Sequence, residues 1–155
     1  MPHIHEKIDF CVEVFIVHRD KVLLRMHDKH HIWLSVGRHI ELDEDPIQAA
    51  VREVKEEVGL NVKIFGQVSD TKKEADYQPL PAPAFLGCHE VNSTHKHVVL
   101  VYFATASSNK ISEAVMKHER TDIIWATKKD LLKMDLRPNV RFYAEQALRV
   151  LGKNK

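Results

Sequence analysis

Two cysteines, Cys11 and Cys88, are all that this chain of 155 residues contains. They form no metal-ligand pair and support no disulfide framework, so a reducing compartment is the simplest setting. Cys11 falls in an apolar strand pattern and reads as a core residue. An excess of one charge is missing too: 23 Lys and Arg against 22 Asp and Glu leave a formal net charge of +1. No broad field is therefore available to draw in a nucleic-acid polymer or an anionic membrane, although a nucleotide-sized ligand remains compatible with this balance. No apolar run approaches the roughly 20 residues that span a bilayer, and the start MPHIHEKID has no signal-peptide core. Cytoplasmic residence follows by default. Internal repeats and a second domain boundary are absent, so 1–155 is expected to be a single domain, large enough to bury a core without staples.

What is present concentrates in the segment RHIELDEDPIQAAVREVKEEVGL, from Arg38 to Leu60. Asp45 suits an N-cap, Pro46 the first helical position, and Gln48 completes a capping box with Asp45. Gly59 is a natural C-terminal stop. These signals predict a helix at about 45–58. At roughly 100° per residue, Ile47, Ala50, Val51, Val54 and Val58 share an apolar stripe, while Gln48, Arg52 and Lys55 point to solvent. Glu53, Glu56 and Glu57 fall at i, i+3 and i+4, in a third sector where carboxylates can line a cleft. Like charges so close repel unless a cation sits among them. Oxygen ligands alone suit Mg2+ or Mn2+, and Mg2+ is commonly shared with substrate phosphate. The bland alternative is a solvated amphipathic helix end in which Arg52 and Glu56 make a surface pair.

Strand patterns surround this helix. Phe10 to His18 is a β run, Asp20 and Lys21 a tight turn, and Val22 to Met26 the answering strand of a hairpin. Leu60 to Val68 reads as a strand, Ser69 to Pro83 as a long polar, Pro-rich loop. His97 to Ala106 and Ile123 to Ala126 are further strands, and Pro138 starts a C-terminal helix over Asn139–Leu151. The order predicts an α/β layered domain with a mixed sheet.

The segment 38–60 resembles the signature of the Nudix hydrolases, Gly-x5-Glu-x7-Arg-Glu-apolar-x-Glu-Glu-x-Gly-apolar. Glu44, Arg52, Glu53, Val54, Glu56, Glu57, Gly59 and Leu60 fall in register; only the first position departs, with Arg38 in place of Gly and Gly37 one residue early. Upstream, Trp33-Leu34-Ser35-Val36-Gly37 is similar to the family's strand and turn into the box, with Val36 where Pro is frequent. The resemblance implies an α/β/α sandwich with a mixed, curved sheet. It also implies hydrolysis of a phosphoanhydride in a nucleoside diphosphate linked to another moiety, with Mg2+ or Mn2+. On the matching positions Glu53, Glu56 and Glu57 would hold the metal, with Gly37 giving the main chain close approach. Arg52 would orient the glutamates, and Glu44 would support the loop or a second metal through water. Glu119, ahead of the strand at 123, is placed like the loop glutamate that in several relatives binds metal or activates water. Arg38, His39 and Tyr77 are the substrate-binding candidates. At Arg38 three outcomes stand open: Gly37 takes over the turn, Arg38 reaches a substrate phosphate, or the site is impaired. The last would make the chain a Nudix-fold nucleotide-binding or sensor module. Tyr77 is a weak pointer to dinucleoside polyphosphates, and Pro79 and Pro81 to ADP-ribose, so the substrate stays at the level of a nucleoside diphosphate derivative. A homodimer is compatible with the resemblance.

Eleven histidines remain. His27-x-x-His30-His31 and His95-x-His97 have spacings suited to a transition metal, but no paired Cys supports a closed zinc site. They read instead as loop residues near a nucleotide cleft, with His39 and the His95/His97 pair facing phosphate or base. Trp33, Tyr77 and Phe85 offer stacking surfaces or plain packing.

Overall fold

The computed structural model describes residues 7–27, 29–112 and 122–153. Its elements run β1 (Ile8–His18), β2 (Lys21–His27), β3 (Ile32–Leu34), α1 (Pro46–Val58), β4 (Val62–Phe65), β5 (Phe85–Asn92), β6 (His95–Ala106), β7 (Ile123–Ala126), α2 (Lys128–Lys133) and α3 (Pro138–Leu151). The strands form an open, curved sheet in the order β3-β2-β1-β6-β4, with β5 also on β6 and β7 on β2. β1 and β6 run parallel through its middle, and every other pairing is antiparallel.

β1 dictates the layering. Side chains alternate along a strand, and in β1 Val12, Val14 and Ile16 on one face and Phe15 and Val17 on the other are apolar and buried, which requires cover on each face. Val12, Val14 and Ile16 pack with Ala50, Val54 and Val58 of α1. Phe15 and Val17 pack with Leu131 of α2 and with Val140, Ala144 and Ala147 of α3. The result is the α/β/α sandwich expected from the sequence. Among the described residues no helix is long and apolar enough to cross a membrane.

The local signals of α1 hold in three dimensions. Asp45 accepts from the amides of Ile47 and Gln48, and Gln48 closes the box on the Asp45 amide at 2.9 Å. Gly59 ends the helix at φ 73°, where its amide bonds to Val54 and Lys55 carbonyls. One position departs: Val51 is 42% exposed rather than part of the buried stripe, and Ala49 is buried in its place. The cover from β1 arrives about one helical position away from the centre of the apolar arc.

Other boundaries shift. The tight turn is at Arg19 and Asp20, with Lys21 already paired to His18, because Arg19 takes the left-handed conformation at φ 58°. The strand expected over Leu60–Val68 is regular only from Val62 to Phe65. β6 begins at His95, two residues before the expected start, and β5 and α2 were not expected at all. β5 carries Gly87 and mostly exposed residues, so its apolar alternation is faint in sequence. α2 spans only Lys128–Lys133, too short for a helical period, although Thr127 and Asp130 form a capping box around its start.

Phe15→Ala is expected to cost about 3–5 kcal/mol in urea unfolding, the usual loss for an aromatic side chain cut from a packed core. Val51→Ala is expected to stay within about 0.5 kcal/mol of the parent. A large loss at Val51 would contradict its exposed placement.

Candidate active site

Residues 36–40 run antiparallel beside β1. Val14 and Val36 exchange backbone bonds of 2.7 and 3.3 Å, the Val12 amide donates to Arg38 at 2.9 Å, and the Ile40 amide donates to Phe10 at 2.8 Å. Gly37 sits within this ladder at φ 147°, and a Cβ there would lie 1.9 Å from the Val12 carbonyl oxygen. Only glycine fits. The turn that the Nudix pattern assigns to a glycine one place later is thus carried by Gly37, and Arg38 is not among the residues with positive φ. Of the three outcomes open at Arg38, the backbone part of the first is met: the positive φ falls at Gly37.

The Arg38 side chain is half exposed and brings Nε to 3.8 Å from Glu57 Oε1. Glu57 itself is buried, with Arg25 Nε at 2.8 Å from Oε2. That guanidinium is close enough for an ion pair but off the line of a hydrogen bond, so both Glu57 oxygens lack a hydrogen-bond partner. Burial pushes the Glu57 carboxyl up to about 8, despite the opposing pull of Arg25, and the adjacent Glu53 carboxyl adds to the rise.

Arg52 organises the remaining carboxylates. Its Nε and Nη2 donate to the two oxygens of Glu44 at 2.9 and 2.6 Å, a bidentate clamp. Nη1 donates to Glu53 at 2.7 Å and to Glu56 at 3.2 Å, and Nη2 also reaches the His39 carbonyl at 3.3 Å. The clamp holds the Glu44 carboxyl below its ordinary range and raises the Arg52 guanidinium further. Glu44 also accepts from the Glu41 amide at 2.9 Å, so one side chain ties the loop to the helix.

The acidic trio is therefore divided. Glu53 and Glu57, one helical turn apart, are buried at 2% and 4% exposure, whereas the Glu56 side chain is 60% exposed. Hard oxygen donors, with Glu53 held by Arg52 and both Glu57 oxygens buried outside hydrogen-bond geometry, fit a divalent cation such as Mg2+ or Mn2+. Among the other expected site residues, Tyr77 stands half exposed in the long loop. Trp33 and Phe85 are packing residues against the α3 side of the core. Glu119 lies outside the described residues. The histidines of β6 are not loop residues: His95 and His97 are strand positions, and with His39 they turn toward the buried Asp9 of β1. Asp9 and Arg25 had no place in the sequence reading. Both sit in strands with no local motif, and only the sheet brings them to the site.

The family model for the NUDIX domain matches residues 10–146. This chain belongs to the Nudix family. A Nudix-family hydrolase from Clostridium perfringens is similar in structure, with a TM-score of 0.82 and 36% identity over 92% of this chain and 97% of that one. A MutT Nudix hydrolase from Burkholderia pseudomallei shares the fold at 20% identity and a TM-score of 0.65, covering 91% of this chain and 98% of that one. A UDP-X diphosphatase shares it at 14% identity and 0.59, covering 94% and 63%. No curated protein matches the sequence.

A raised carboxyl makes the metal-free Nudix fold pH-sensitive. Glu57 binds its proton more tightly in the folded than in the unfolded chain, so its stabilising contribution is full below about 4.5 and is lost as pH rises through about 8. Unfolding midpoints in EDTA are expected to fall across that window, and Glu57→Gln is expected to flatten the slope. A variant slope equal to the parent's would remove Glu57 as the cause.

Proposed function

We propose that this Nudix protein is a metal-dependent hydrolase of a phosphoanhydride in a nucleoside diphosphate linked to another moiety. The observation that carries the reading is Glu57, a carboxylate inside the fold with neither oxygen hydrogen-bonded, set beside Glu53 and one residue after Glu56. Two carboxyls buried side by side cannot both ionise cheaply, even with Arg25 as the counter-charge of Glu57, so such an arrangement suits a cation rather than stability.

Glu53, Glu56 and Glu57 would hold Mg2+ or Mn2+, with the Gly37 turn allowing close approach of main chain. A divalent ion bound there supplies charge neutralisation of diphosphate oxygens and a lowered pKa for its water. The chain's own residues supply the rest. Arg52 fixes the rotamers of Glu44, Glu53 and Glu56 at once, so that donor positions are set before substrate arrives. Glu56, the exposed member, would meet solvent and substrate. Arg38, half exposed, would bind a phosphate, while Arg25 stays inside as the counter-charge of Glu57. A carboxylate accepts the proton of the attacking water; Glu56 and Glu119 are the two assigned to that role. Tyr77 is left as a substrate-binding candidate at the loop, and His39 supports the box through its carbonyl contact with Arg52. Because Gly37 carries the strained turn, the impaired-sensor reading loses its main motive.

A panel of sugar nucleotides, dinucleoside polyphosphates, ADP-ribose and nucleoside triphosphates, assayed with and without Mg2+, is expected to show metal-dependent release of a nucleoside monophosphate. Glu56→Gln and Glu57→Gln should each lower kcat by about 10²-fold or more while the fold is kept. Arg38→Ala should raise KM more than it lowers kcat. Turnover close to the parent's in either glutamate variant would refute the assignment.

A further inference from the structure

The sheet face beneath α1 continues beyond the helix. Phe10 of β1 lies opposite Val98 of β6 and Val98 opposite Cys88 of β5, while in the next row Val12 lies opposite Leu100 and Leu100 opposite Leu86. Opposed residues share a face. Val12 and Leu100 belong to the cluster that packs on α1, so both rows look to the helix side. The helix covers Val12 and leaves the outer members open: Phe10 is 49% exposed, Leu86 67%, and Cys88 is exposed too. Single exposed apolar side chains are ordinary, but adjoining ones on one face mark a contact surface.

This face runs into the candidate active site. The Val12 amide bonds to the Arg38 carbonyl and the Ile40 amide to that of Phe10, so Arg38 flanks the Val12 row and Ile40 the Phe10 row. Ile40 packs on the same cluster, and Arg38 faces Glu57. A phosphate held at Arg38 therefore stands two strand residues, about 7 Å, from the Phe10 row. On the far side Ile8 lies opposite Lys96, whose Nζ is 3.8 Å from Glu90, so an exposed ion pair bounds the surface. Between these limits Phe10, Ile40, Val98, Leu100 and Leu86 are apolar, and the Cys88 thiol is a weak hydrogen-bonding group.

We infer that this open face receives the nucleobase of the substrate by stacking on Phe10 and burial against Val98, Leu100 and Leu86, without reading the base edge. The inference rests on the proposed function for the placement of the phosphates at Arg38. A flat sheet face suits a planar ring better than a flexible chain, because every base offers a π-face while its donors and acceptors lie on the rim. Strong discrimination needs buried polar groups that the wrong base leaves unpaired. The apolar rows supply none, so nucleotides of any base are accepted and phosphates without a base are rejected.

Cys88 reports on the face in the intact protein. Cys11, the other cysteine, is buried, and burial pushes its thiol up to about 12, so dithionitrobenzoate at mildly alkaline pH reads Cys88. The monophosphates of adenosine, guanosine, cytidine and uridine are expected to slow this labelling at concentrations within about fivefold of one another, whereas ribose phosphate should need at least about tenfold more. Phe10→Ala should raise the protecting concentration of every nucleotide by about tenfold, and Leu86→Ser serves the same purpose should Phe10→Ala not fold. The inference is overturned if ribose phosphate protects as well as the nucleotides, if one base outranks the others by about 100-fold, or if a folded variant is protected like the parent. Protection by all four nucleotides in a protein without turnover would uphold this face and remove the hydrolase reading. Metal-dependent turnover without protection would do the reverse.

Discussion

Residues 36–40 lie along β1 as an extra, irregular strand, and the disposition of the polar side chains around it depends on that pairing. The backbone bonds from Val12, Val14 and Ile40 fix the segment, and the approach at Gly37 is so close that no side chain is tolerated there. Once the segment is fixed, Arg38 must lean toward Glu57 and His39 must turn toward Asp9. Arg52 then reaches across from α1 to the His39 carbonyl. A few main-chain hydrogen bonds, each worth only about 0.5–1.5 kcal/mol net, therefore set the separation and orientation of groups that carry far larger electrostatic energies.

Those energies explain why the helix looks as it does. An exposed Arg–Glu pair contributes about 0–1 kcal/mol, which describes Arg52 with Glu56 adequately. Glu53 and Glu57 are different because they face the interior beside Arg25 and Arg52. Buried ion pairs seldom repay their desolvation, and Glu57 meets Arg25 at ion-pair distance without hydrogen-bond alignment. α1 thus presents a poorly compensated acidic flank within a well-packed helix. Its apolar anchors, Ala50, Val54 and Val58, supply the burial that holds this flank in place.

The fold was largely legible in the residues. Long β-branched runs such as Phe10–His18 and a helix with caps at both ends are local signals, each readable without knowing what packs on it. β5 and α2 were not legible, since β5 exposes most of its side chains and α2 is a single capped turn or two. The box glutamates could be found from spacing, but their division into a buried pair and an exposed third could not. That division follows from where β1 covers α1, the same offset that left Val51 in solvent. The strand placement of His95 and His97 is hidden for a related reason: both sit at the start of β6, which no local pattern marks.

By itself the sequence determined the capped helix, its row of carboxylates, the strand-rich surroundings and the glycine-bearing turn ahead of the box, because caps, periods and turn residues act over a few neighbours. Tertiary structure alone decided that Gly37 rather than position 38 takes the positive φ against β1, that Arg25 faces Glu57, and that the buried Asp9 lies beside the imidazoles of His39 and His95. Those outcomes rest on contacts between stretches dozens of residues apart, and in a sheet such contacts are set by register, which no local pattern encodes.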